Sequence, residues 1–183
     1  LPNAPSQQPP RRSLFAASAD ALSLPEERRV AALGAENAAV VVYGAGSQLL
    51  PQVVSVGGLD MVNFLGPETV PERYRGGKRR FMMHNPSTTV MRTEEAENRV
   101  IGKLLGERLS AARGSTEVLL PLRGISSYDH EGSDWYGPDA DAALFAALRG
   151  ALRPDIPVRE LNCHINDPEF ADMLAARMLA LLE

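Results

Sequence analysis

The sequence predicts an α/β domain: a Rossmann-like, mostly parallel open sheet of about five or more strands, with helices on both faces. Three observations carry this. From Arg80 onward the pattern reads strand, helix, strand, helix, strand, helix, the order of crossover units in a parallel sheet. The apolar runs AAVVVY (38–43) and VVSV (53–56) lack strict alternation, as strands covered on both faces do. Helix starts and stops are well marked in the second half of the chain. A closed eight-stranded barrel normally needs more residues, so the open form is preferred.

Taken in order, residues 1–22 open LPNAPSQQPPRR and are expected to be a poorly ordered or extended arm. The single α/β domain is expected over 23–183. Ser23, with Glu26 three residues on, starts a short, weakly amphipathic helix that ends near Gly34. Ala38 to Tyr43 and Val53 to Val56 are the first two strands. The stretch from Gly57 to Tyr74 reads as a long irregular connection. Arg80 to His84 is the third strand, ended by Asn85-Pro86. Thr93 is the expected cap of the next helix, near 94–112, whose Val100, Ile101, Leu104, Leu105, Leu109 and Ala112 form one apolar stripe. Glu117 to Leu120 is the fourth strand, and a glycine-punctuated loop runs from Arg123 to Gly137. Pro138 opens a helix to about 152 that buries Ala140, Ala143, Leu144, Ala147, Leu148 and Leu152. Val158 to Leu161 is the fifth strand. Asp167-Pro168-Glu169 starts the last helix, 168–182, with Phe170, Leu174, Met178 and Leu181 facing inward.

The chain has 183 residues, 44% of them hydrophobic and 23% charged, enough for one sizeable core without metal or disulfide staples. No apolar run is long enough to cross a membrane, and no segment has the form of a signal peptide. The lone Cys163 excludes an internal disulfide and fits a reducing, cytoplasmic setting. A formal net charge of -4 argues against a nucleic-acid partner. The one basic stretch, ERYRGGKRR (72–80), reads either as a solvated turn or as a phosphate or subunit contact.

Ligands of open parallel sheets bind beyond the carboxyl ends of the strands. The polar groups that follow the strands are therefore the candidate ligand-binding residues. They are Gly57, Gly58, Asp60 and Asn63 after the second strand, His84 and Asn85 after the third, Arg123 and Ser126 after the fourth, and His164, Asn166 and Asp167 after the fifth. Gly57-Gly58 suits either a tight turn or a close backbone approach to a ligand. His84 and His164 can exchange protons near neutrality, or serve only to tie loops. Arg123 is the expected clamp for a carboxylate or phosphate, with a structural salt bridge as the competing account. Asp167 is expected to cap the last helix with its carboxylate, which disfavours a second anion there. No dinucleotide fingerprint, phosphate-binding loop, nucleophile elbow or diagnostic metal spacing is present. Cys163 next to His164 is a poor nucleophile candidate, because adjacent residues at a strand end point apart.

The runs PQVVSVGGLDMVNF (51–64), PETVPERYRG (67–76), HNPSTTVMRT (84–93), LLPLRGISSYD (119–129), GPDADAALFAALR (137–149) and HINDPEFAD (164–172) stand in order along the chain. Over about 51–183 they resemble the C-terminal domain of the family typified by the tomato mosaic virus resistance protein, a family described as ATP-binding-like. The resemblance implies Rossmann-like domains in a two-domain protein, with ATP or a related nucleotide as a candidate ligand. It implies a homodimer, or an upstream domain that residues 1–45 do not match, as the partner. It attaches no reaction. This chain departs from the family at Gly58, Leu65, Asn162 and Cys163. The function expected is small-molecule binding, of a nucleotide or other anionic ligand, at the carboxyl edge of the sheet. The alternative is a regulatory or scaffold domain that acts through protein contacts.

Overall fold

A computed structural model describes residues 51–183. The expected arm, the helix from Ser23 and the strand from Ala38 lie outside the described residues. Along the described chain run β1 (Gln52–Val54), β2 (Met61–Phe64), a 3-10 turn (Pro67–Thr69), α1 (Glu72–Arg75), β3 (Phe81–Asn85), β4 (Thr88–Arg92), α2 (Glu95–Ser110), β5 (Thr116–Pro121), α3 (Pro138–Ala151), β6 (Val158–Leu161) and α4 (Pro168–Leu182).

The expected single sheet of five or more strands needs correction. Among the described residues the strands form two sheets of three. One is parallel, in the order β1-β5-β6, with Val53 opposite Glu117 and Leu120 opposite Glu160. The other is antiparallel, in the order β2-β4-β3. The third expected strand, Arg80 to His84, corresponds to β3, which among the described residues pairs with β4 alone and lies outside the parallel sheet. β2 falls inside the expected long connection, and β4 falls between the expected third strand and the Thr93 cap, where no element was expected. The reason is local. Asn85 Oδ1 accepts bonds from the Ser87 N–H (2.9 Å) and Oγ (3.0 Å), which tightens Asn85-Pro86-Ser87 into a hairpin turn. Thr88, Thr89 and Val90 then continue as strand, as β-branched residues do on a pleated surface.

The parallel sheet is packed on both faces. Side chains alternate along β1 and β5. Val54, Val118 and Leu120 pack with Ile101, Leu105 and Leu109 of α2 and with Leu144, Phe145 and Leu148 of α3. Val53, Leu119 and Leu161 pack with Phe170, Met173 and Leu174 of α4. β5 is buried along its whole length, as the middle strand of such a sandwich must be. α2 and α3 approach backbone to backbone: a Cβ on Gly102 would fall on the Leu144 carbonyl oxygen, and one on Gly106 would come within 2.7 Å of the Ala151 Cβ. This close contact accounts for two glycines inside a helix. On α3, Ala140, Leu144 and Leu148 are buried as expected; Asp141 and Phe145 are buried too, while Ala143, Ala147 and Leu152 are half-buried.

The antiparallel sheet has its own small core of Val62, Met91, Val70 and Tyr74, with Phe64 against it. The basic stretch is spent on holding this lobe. Arg79 pairs with both Glu97 oxygens (2.6 and 2.7 Å), Arg75 donates to the carbonyls of Val70 and Glu68, and Arg80 donates to those of Asp134 and Tyr136. The α2 cap is also corrected. Thr93 is buried and donates to the Leu59 carbonyl, while Glu94 is the capping residue and its N–H donates to Glu97 Oε2 (2.9 Å). Among the described residues no helix is long and apolar enough to cross a membrane.

Candidate ligand-binding site

Beyond β1 the chain turns at Gly58, whose φ of 73° favours glycine and whose N–H donates to the Ile125 carbonyl (3.0 Å). Gly57 is exposed, and a Cβ there would sit 3.0 Å from Ile165 Cδ1. Asp60 follows and is fully buried. Its Oδ2 accepts from Ser126 Oγ (2.7 Å) and Trp135 Nε1 (2.9 Å), and its main-chain oxygen accepts from the Thr93 N–H (2.9 Å). Burial pushes the Asp60 carboxyl above its ordinary range, against the bonds from Ser126 and Trp135 and the nearby Arg92 charge.

The segment after β5 is stitched to the segment after β6. The Leu122, Arg123 and Ile165 N–H groups donate to the carbonyls of Leu161, Cys163 and Gly124 in turn. His164 lies between them. Its Nδ1 accepts from the Asn166 N–H (3.1 Å), so the proton that meets the Ser126 carbonyl oxygen (2.9 Å) is carried on Nε2. The neutral Nε2–H ring is thus selected by its neighbours. Asp167 does stand at the head of α4, but its carboxylate does not cap that helix as expected. Oδ2 accepts from the His164 N–H (2.8 Å), because the HINDP turn folds back on itself.

Asp60, Ser126, His164, Asn166 and Asp167 are therefore joined in one hydrogen-bonded chain at the carboxyl edge of the parallel sheet. Asn63, His84 and Asn85 sit apart from it, on the antiparallel sheet. They line a cavity of about 330 Å³ together with Met61, Phe64, Leu65, Thr88, Val90 and Tyr128. The register explains most of the grouping: Asn63 lies opposite Val90 and Asn85 opposite Thr88, two residues apart on β4, so one sheet face carries all four, while His84 falls in the register irregularity between Met83 and Asn85. The two groups meet through the loop after β5. Ser126 bonds Asp60, and two residues on the Tyr128 hydroxyl lies 3.0 Å from His84 Nδ1. Arg123 is not among the cavity-lining residues. Its side chain is 59% exposed, with Nη2 3.8 Å from Glu131 Oε2. Cys163 is buried, which pushes its thiol up, away from a reactive thiolate.

Sequence reasoning passed over the group that holds this loop in place. Arg92, 1% exposed, donates from Nε to the Trp135 carbonyl (3.1 Å), from Nη1 to the Asp60 carbonyl (3.3 Å), and from Nη2 to the Gly137 carbonyl (3.2 Å), Asp129 Oδ1 (3.3 Å) and Asp141 Oδ1 (2.8 Å). Asp129 in turn accepts from the N–H groups of Ile125 (3.0 Å) and Gly137 (3.1 Å). Arg92 and Asp141 sat inside a strand and a helix, where only a charge at an inward position could have drawn notice. Trp135 was visible as the lone tryptophan.

Burial and the neighbouring Asp129 push the Asp141 carboxyl up to about 8, against Arg92. Burial also acts upward on Asp129, but bonds from Asp141 and the Ile125 and Gly137 amides, with the Arg92 charge, hold it below its ordinary range. Asp141 binds its proton more tightly folded than unfolded. Its stabilising contribution is complete below the unfolded carboxylate pKa and is lost as pH rises toward about 8. Asp129 has the opposite sign, but its contribution is lost only on acidification. Stability is therefore expected to fall from about pH 5 to about pH 8, with Asp141 contributing at most about 1.4 kcal/mol per pH unit and the raised Asp60 acting in the same direction. In Asp141→Asn that slope should flatten. Urea midpoints across the pH range are the measurement, and an unchanged slope in the variant would remove Asp141 as its source.

The chain matches the C-terminal domain of the uncharacterised protein family UPF0261 over residues 41–182. It is 50% identical over 129 residues to a UPF0261 protein of Mesorhizobium japonicum, covering 69% of this chain and 32% of the relative. It is 44% identical over 135 residues to a UPF0261 protein of Clostridium tetani, covering 73% of this chain and 33% of the relative. It is 37% identical over 134 residues to the tomato ToMV resistance protein Tm-1(GCR237), covering 72% of this chain and 18% of that protein. The chain thus spans about a third or less of the length of these relatives.

Proposed function

The chain belongs to the UPF0261 family through that C-terminal domain, and on this premise we propose that it binds a small organic molecule in the cavity between the β2-β4-β3 sheet and Tyr128. The carrying observation is the lining itself: apolar walls with a few convergent polar groups, at a volume typical of ligand sites. A nucleotide is the first ligand to try. The anion clamp expected of Arg123 draws no support from its position, because that guanidinium is largely exposed and near Glu131. The same reading keeps a cytoplasmic setting, and a second copy or an upstream domain as the partner. No reaction is assigned.

A thermal-shift screen of nucleosides, nucleotides, sugar phosphates and organic acids tests the reading. A ligand at about a hundredfold excess over its Kd adds about 2.7 kcal/mol, several degrees in Tm. No response from folded protein at millimolar concentrations would favour the second reading, a scaffold that acts through protein contacts. The observation in that reading's favour is β3, the outer strand of its sheet, with Phe81 and Met83 exposed.

A further inference from the structure

We infer that the cavity selects an uncharged, planar ligand with a carboxamide-like edge, and that it does not recognise a phosphate or carboxylate; this rests on the small-molecule reading above. None of the nine lining residues is Lys, Arg, Asp or Glu. Two nearby arginines are already engaged. Arg92 is buried against Asp129 and Asp141, and Arg80 is bonded to the Asp134 and Tyr136 carbonyls. Arg123 lies near Glu131, outside the lining. His84 is the one basic side chain in the lining, and its Nδ1 lies 3.0 Å from the Tyr128 hydroxyl. An anion moved into this space would lose its hydration and meet no lysine or arginine among the described lining residues.

What the lining does offer is neutral hydrogen bonding. The Asn63 carboxamide makes no bond among the described residues, so it presents two donors and one acceptor. Asn85 is oriented by Ser87. Its Oδ1 must face the Ser87 N–H and Oγ, which leaves its NH2 group as a donor. This is the complement of a ring that carries adjacent carbonyl and N–H groups. Met61 and Val90 supply apolar surface for the ring's faces.

The full chain should be titrated with uridine, adenosine and nicotinamide, and in parallel with uridine and adenosine monophosphates and inorganic phosphate. The readouts are calorimetric affinity and the NMR signals of the Asn side-chain amides and of the single Trp135 indole. At least one uncharged compound should bind, with its monophosphate within about threefold of the same Kd. Asn85→Asp keeps the acceptor that Ser87 uses and loses the free donors, so it should weaken binding by about tenfold or more. Asn63→Leu should do the same. Inorganic phosphate binding at the site, or a monophosphate more than about tenfold tighter than its nucleoside, would overturn the inference and leave small-molecule binding standing. Unchanged affinity in both variants would overturn the assignment to this cavity. Failure of every compound of both classes would take down the binding reading as well.

Discussion

Arg92→Met is expected to cost about 3–5 kcal/mol of folding stability, the range for removing one partner from a buried charge cluster. The methionine fills much of the space but donates nothing. Asp129 and Asp141 would be left as buried carboxyl groups without their cation, and the carbonyls of Asp60, Trp135 and Gly137 would each lose a donor. Arg92→Lys should recover little, since one ammonium cannot reach acceptors splayed in several directions. Adding Asp141→Asn to Arg92→Met should restore part of the loss, because the two residues share one network. Urea unfolding of the singles and the double at neutral pH decides the matter. An Arg92→Met loss below about 1 kcal/mol, the range of an exposed ion pair, would mean that the loop is held by something else.

Gly124→Ala carries the second large effect, roughly 2–5 kcal/mol from backbone strain and overpacking together. Gly124 has a φ of 126°, which an alanine resists. Its Cβ would fall on the Asp129 carbonyl oxygen and come within 2.7 Å of His164 Cδ2. Neither can retreat easily. Asp129 is tied to Arg92, Ile125 and Gly137, and His164 is tied to Ser126, Asn166 and Asp167. The collision therefore reaches the loop that carries both Ser126 and Tyr128. Thermal unfolding should show the loss, and the Trp135 indole resonance should shift, because Trp135 bonds Asp60 and its ring lies 6.1 Å from that of Tyr128. A wild-type melting temperature with an unmoved indole signal would show that the crowding relaxes at little cost.

Both effects centre on a loop whose residues were only half legible. Ser126 stood out because it follows a strand, and Asp60 and His164 for the same reason. Nothing in one dimension shows that Arg92, at the end of β4, points inward to Asp129 and Asp141. Ion pairs across 37 and 49 residues leave no periodic trace. Arg123 is the converse case. A guanidinium just past a strand end invites an anion, yet here the side chain faces outward.

By itself the sequence determined what depends on neighbours along the chain. The three long helices, the strands β5 and β6 and the polar character of the strand ends follow from helical periodicity, the prolines at helix starts and the breaks between runs. Only the tertiary structure decided which strands share a sheet. β2 and β4 are four and five residues long, and their identity comes from one another through pairing, not from any pattern each carries alone. That same pairing split the expected site in two. It left Asp60 and His164 in the bonded chain of the parallel sheet, and it placed Asn63, His84 and Asn85 on the antiparallel face, around the cavity that Tyr128 completes.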